Sequence, residues 1–168
     1  MIVYTEGDVT SPIGDGQKLI PHIVNDIGAW GSGVVVAISR RWSAPETAYR
    51  RWYKNKINMD GIKEFKLGNV DFVQASEEIT IANMIGQRGI GPKSLNIDGH
   101  TVVEQPIRYD ALRSCMIQVR RFIADRPISI HAPKFGTLRA GGDWSVIEQM
   151  INEEWSRLNV TIYEYVEK

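Results

Sequence analysis

The stretch KLIPHIVND, residues 18–26, constrains the fold more than any other. Successive side chains on a strand point to opposite faces, so a strand with one wet face alternates apolar and polar residues. Here Leu19, Ile20, Ile23 and Val24 fall on both parities, the pattern of a strand in the middle of a sheet covered on both sides. The segments around it agree. MIVYTEGDV reads as an opening strand ending at the turn Gly7-Asp8. GVVVAISRRW and APETAYRRWYKN read as helices, the second with Pro45 near its first turn. GNVDFVQASEEITIANMIGQ reads as two strands joined at Ser76-Glu77-Glu78, and RGIGPKSLNIDGHTVVEQP, rich in turn residues, as a long loop. In IRYDALRSCMIQVRRFIAD, Leu112, Met116, Val119 and Ile123 share one helical face. PISIHAPKFGT is a strand, WSVIEQMINEEWSRL a helix and NVTIYEYV a closing strand. Strands alternating with helices predict an α/β fold, a three-layer α/β/α sandwich with a mixed, largely parallel sheet of about six strands. No repeat or linker divides the sequence, so one domain is expected over residues 1–168.

Lys plus Arg number 20, as do Asp plus Glu. Without a net field or a basic stripe interleaved with aromatics, neither nucleic acid nor a membrane surface is expected as a partner. The single cysteine, Cys115, lies inside the amphipathic helix and reads as buried filler. The three histidines are scattered, so no metal site is expected. The first residues carry no basic region followed by an apolar run, and no apolar stretch reaches spanning length. A cytoplasmic location is the expectation.

Ligands of such sheets sit at the carboxyl ends of strands, where loops enter helices. Two of those loops carry glycine clusters, at 28–33 and 136–142. Glycines let amides approach a phosphate closely, and the helix that follows turns its positive end to the anion. Either the two loops cradle a diphosphate, or the glycines only solve tight turns.

GDVT after the first strand, VNDIGAWGSGVVVAI after the second and PKFGTLRAGGDW after the penultimate one resemble the macrodomain, the ADP-ribose-binding α/β/α fold. The order and spacing match over residues 2–166, nearest to the branch with yeast-type ADP-ribose 1''-phosphate phosphatase and terminal ADP-ribose protein glycohydrolase. The resemblance implies that Asp8, with the Val9 amide beside it, meets adenine; an Asx turn is the other reading of Asp8. It implies that Asn25 reaches the distal ribose, that Gly31, Ser32, Gly33 and Val34 offer amides to the diphosphate and distal ribose, and that Trp30 walls that ribose or pins the loop. On the opposite wall it assigns the closing loop to Phe135, Gly136, Thr137, Leu138 and Arg139. Arg139 either adds a charge-assisted contact or stays in solvent. Tyr163 lies beside adenine or in the core. ADP-ribose or a derivative is then the ligand, an ADP-ribosylated protein a further partner, and no cofactor is expected.

Hydrolysis at the distal ribose needs a positioned water and a group to take its proton. His22 and Asp143 are the acid/base candidates, with Asp26 a third. A core histidine and an N-cap are the alternative readings of the first two. The glycohydrolase relatives use a lysine and an aspartate where this sequence has Gln87, or its neighbours, and Ala140. An amide forms no covalent lysine adduct and alanine takes no proton, so that route is not expected here. A hydrolase with a water nucleophile, ADP-ribose 1''-phosphate its leading substrate, and a reader without turnover both remain. His131 reads as structural.

Overall fold

The structure, a computed structural model, describes residues 2–166. In chain order the elements are β1 (Ile2–Glu6), β2 (Gln17–Asn25), α1 (Val34–Arg41), α2 (Ala44–Asn55), β3 (Val70–Gln74), β4 (Ile79–Gln87), β5 (Lys93–Ile97), β6 (His100–Glu104), α3 (Tyr109–Ile123), β7 (Ile128–Pro133), α4 (Trp144–Glu154) and β8 (Val160–Glu164). Six strands form one sheet in the order β1-β8-β7-β2-β4-β3, parallel throughout except where β3 meets β4. The strand order turns back around β2 and β7, so their carboxyl ends and the loops that follow open a crevice between them.

β2 behaves as its sequence demands. Leu19 and the partly buried Ile23 pack into the core formed with α3 and α4, whereas Ile20 and Val24 pack on the opposite face with α1 and α2. These are the three expected layers. On α3, Leu112, Met116, Val119 and Ile123 are all fully buried, each worth about 1.5–3 kcal/mol of apolar burial. Cys115 lies among them, and burial pushes its thiol up to about 12. Among the described residues, no helix is long and apolar enough to cross a membrane.

One expected element is different. The loop over residues 88–106 contains a hairpin, β5 paired antiparallel with β6. Its tip, Asp98-Gly99, has φ of 51° and 80°, the pair of positive values that a two-residue hairpin turn requires. Every residue of both strands is exposed, so core-facing apolar alternation could not announce them. The Asp-Gly pair was the available signal.

Candidate ligand cleft

At the carboxyl end of β2 the ladder with β4 slips: Val24 pairs with Ile85, but Asn25 pairs with Gln87. The extra residue, Gly86, is a bulge, which bends a strand and re-aims the side chains beside it. Its carbonyl accepts from the Arg108 amide, and the Arg88 amide donates to Pro106. Asn25 and Gln87 thereby stand side by side, both nearly buried, at the floor of a cleft of about 600 Å³.

The first wall is the loop 26–33. Asn25 braces it: its Nδ2 donates to the Ala29 carbonyl at 2.7 Å, and its Oδ1 accepts from the Ile27 and Ala29 amides at 3.0 Å. Tyr49 on α2 donates to the same Oδ1 and to the Asn25 carbonyl, and burial drives its phenol pKa upward. Gly28 has φ 76°, and a Cβ there would lie 2.4 Å from the Tyr53 ring. Gly28 therefore serves packing, not a phosphate. Gly31 and Gly33 face open space instead, with nothing within 4 Å of an added Cβ. No side chain caps α1, and no acidic residue occupies its first turn. Among the described residues the amides of Gly31, Ser32, Gly33 and Val34 have no protein acceptor, so the helix presents an unneutralised positive end.

Trp30 is a nearly buried wall of this cleft. Its Nε1 donates to Ser39 Oγ, which donates to Glu46. Arg50 closes the ring, binding Glu46 Oε2 through Nε at 2.9 Å and the Trp30 carbonyl through Nη2 at 3.3 Å. Both readings of Trp30 meet here, since it pins the loop and lines the cleft.

The opposite wall is the loop 136–142, which closes on itself. Gly142 donates to the Gly136 carbonyl at 2.7 Å, Gly141 to Leu138, and Ile107 to Ala140. A Cβ on Gly142 would lie 2.5 Å from the Gly136 oxygen, so this glycine is required by the turn. The amides of Thr137, Leu138 and Arg139 are left without protein acceptors among the described residues. Arg139 lines the cleft, and Leu138 projects from the loop, 84% exposed.

Several expected positions lie outside the lining of this cleft. Phe135 is in the core against Trp144 and Trp155. Asp8 is exposed and accepts from the Thr10 amide and hydroxyl, the turn alternative. Val9 and Tyr163 share a buried cluster flanked by Val34. Tyr163 is a core residue: its hydroxyl accepts from the Ile13 amide and bonds His131 Nδ1 at 2.7 Å.

Both acid/base candidates need correction. His22 is fully buried on the sheet face beneath Trp30, ring centroids 5.4 Å apart, with Nε2 on Asn83 Oδ1 and, among the described residues, no partner for Nδ1. Burial lowers its pKa to about 4, so it is neutral and sealed from any water in the cleft. Asp143 caps α4, accepting from the Ser145 amide and hydroxyl. Those bonds hold its carboxyl below the usual range, and it does not line the cleft. Asp26 sits closer, its Oδ1 on the Gly89 amide between the cleft residues Gln87 and Ile90. Among the described residues no three of His, Cys, Asp and Glu gather as a metal cluster.

No protein-family profile matches the sequence. A Bacteroides thetaiotaomicron protein of unknown function is 44% identical with a TM-score of 0.86, over 99% of this chain and 98% of its own. A Streptomyces coelicolor macrodomain protein is 38% identical with a TM-score of 0.79, over 99% of this chain and 100% of its own. The chain belongs to the macrodomain family. Thermosipho africanus DarTG, solved in complex with ADP-ribose, shares the macrodomain fold at a TM-score of 0.62 and 12% identity, over 88% of this chain and 38% of its own. Among curated proteins, chromodomain-helicase-DNA-binding protein 1-like of Mus musculus is 23% identical over 167 residues. This macrodomain spans 17% of that protein's length.

Two cleft-lining residues of the macrodomain, Arg50 and Ile90, and the buried Tyr49 that holds Asn25 had no expected role in the sequence. Arg50 and Tyr49 look like ordinary members of an outer helix, and only the Glu46-Arg50 spacing hinted at a held guanidinium. Ile90 lay in the segment expected only as a long loop, where nothing in the spacing pointed to the cleft.

Proposed function

We propose that this macrodomain binds ADP-ribose in the cleft, with the diphosphate between the amides of the loops 31–34 and 137–139. One observation carries the reading. Donor-bearing loops on opposite walls, one at an uncapped helix start, flank a cleft whose lining includes Arg50 and Arg139 and, among the described residues, no carboxylate. Backbone amides of this kind hold phosphate oxygens without sequence-specific side chains. A solved protein of the same fold in complex with ADP-ribose supports the choice of ligand. Calorimetric titration with ADP-ribose, AMP and NAD tests it: selective uptake of ADP-ribose is expected, and weak binding of all three ends the proposal.

A second reading adds hydrolysis at the distal ribose. It is favoured by Asn25 and Gln87 standing together beside the free amides, donors for charge that develops in a transition state. With His22 sealed and Asp143 committed to a cap, this reading rests its proton transfer on Asp26. Phosphate release from ADP-ribose 1''-phosphate, lost in Asp26→Asn while ADP-ribose still binds, is the expected result. Binding without release by the wild type leaves a reader of ADP-ribose.

A further inference from the structure

We infer that the β5–β6 hairpin is a self-association surface, on which β6 pairs antiparallel with β6 of a second copy of this chain. Two hairpins then make one four-stranded sheet. Residues 93–104 do not line the cleft, so this pairing is independent of the ligand held there.

Two strands alone form a marginal sheet in water, and independent stability takes three or more with an apolar face. Neither β5 nor β6 packs extensively against another element, and every residue of both is exposed. Yet Leu95, Ile97 and Val102 share one face, with Leu95 directly opposite Val102. The run Thr101-Val102-Val103 on β6 is β-branched throughout and has no proline or lysine to blunt its edge.

The turn at Asp98-Gly99 makes Ile97 and His100 exchange both backbone hydrogen bonds. Inward and outward groups then alternate along β6, so Thr101 and Val103 turn their N–H and C=O away from β5. Neither amide has a backbone acceptor elsewhere among the described residues. A two-fold axis at Val102 sets Thr101 opposite the partner's Val103, and Val103 opposite the partner's Thr101. Four backbone hydrogen bonds close.

The side chains fit the same axis. Val102 meets the partner's Val102 at a non-hydrogen-bonded pair, where side chains approach most closely. Leu95 and the partner's Leu95 extend that contact into an apolar row across all four strands. In each flanking row Glu104 stands between Lys93 of its own hairpin and the partner's His100, so the carboxylate meets donors on both sides. Arg108 takes Glu104 Oε1 and leaves Oε2 for them. Pairing through β5 lacks this match, because an axis at Leu95 sets the Lys93 ammonium opposite the partner's Ile97. One sequence supplies both halves of the β6 contact, which makes the occupant a second copy. Two five-residue strands bury less than the roughly 1,200 Å² of a stable complex, so the dissociation constant should be on the order of 100 µM.

Sedimentation equilibrium of the full chain from about 10 µM to 1 mM tests the pairing, with a monomer-to-dimer transition expected in that range. Thr101→Pro removes one outward N–H from each copy and spares the hairpin's own ladder. It should weaken the dimer by about tenfold or more, with the melting temperature of dilute protein unchanged. Val102→Cys, incubated at high concentration with oxidised glutathione, should form a disulfide-linked dimer, whereas Leu95→Cys should not; the buried Cys115 does not compete. A wild type that stays monomeric at 1 mM overturns the inference. So does a Thr101→Pro dimer as tight as the wild type, or cross-linking of Leu95→Cys as readily as Val102→Cys.

Discussion

Replacing Gly28 with alanine would set a Cβ 2.4–2.8 Å from the Tyr53 ring at a backbone φ of 76°. Steric overlap and a left-handed backbone act together there, so Gly28→Ala should cost about 1–3 kcal/mol and lower the melting temperature. Gly31→Ala meets nothing within 4 Å, so its melting temperature should match the wild type. The two variants thus separate glycines that the sequence presents as equivalents, and thermal denaturation of both is the check. A glycine cluster signals freedom, but each member's use depends on which neighbour the fold brings against it. The same holds for His22 and Asp26. His22 lies three residues before Asn25 and Asp26 one after it, yet His22, on β2, packs behind Trp30, while Asp26, just past the end of that strand, reaches the Gly89 amide.

At the scale of elements, α2 acts as a clamp on the first loop. Tyr49 holds Asn25, Arg50 holds the Trp30 carbonyl, and Tyr53 packs against Gly28. Tyr49→Phe removes the hydroxyl that donates to Asn25, at a cost of about 1 kcal/mol. It should weaken ADP-ribose binding with little change in helix content, which calorimetry and circular dichroism would read. The β5–β6 hairpin makes the opposite case. Leu95, Ile97 and Val102 share one of its faces, yet all are exposed, and its base is tied by the Arg88–Pro106 hydrogen bond. Replacing residues 92–104 by a short Gly/Ser linker should leave the melting temperature within about 3 °C, since closing a short surface loop costs little. A large drop would show that the hairpin shares in the core.

For the whole molecule, stability should decline in mild acid. His22 and His131 are buried, and desolvation lowers both pKa values to about 4 from 6.5. Between those values the unfolded chain binds protons that the native protein refuses, so stability falls as pH drops from 6.5 towards 4. Above 6.5 both states are neutral and the contribution is flat. For His22 the loss reaches about 3 kcal/mol by pH 4 and about 2 kcal/mol by pH 5, and denaturant titrations at pH 7, 6 and 5 would show the latter, with a shallower slope in His22→Gln. The three-layer architecture behind this burial was legible in the residues themselves, because the two-faced apolar run of β2 and the helical stripe of α3 are local patterns with one economical packing. The two loops and their glycines were equally visible, as was the family they resemble. Tertiary packing alone decided which candidates share a cavity. It placed Tyr163 and Phe135 in the core, turned His22 away from the cleft and brought Arg50 to it from a helix whose only local sign was the Glu46-Arg50 spacing. Periodicity along a chain records how much of each side chain must be buried. Which distant group it meets there depends on strand order, a bulge at Gly86 and the crossing of α2, and none of these is written in the spacing of neighbours.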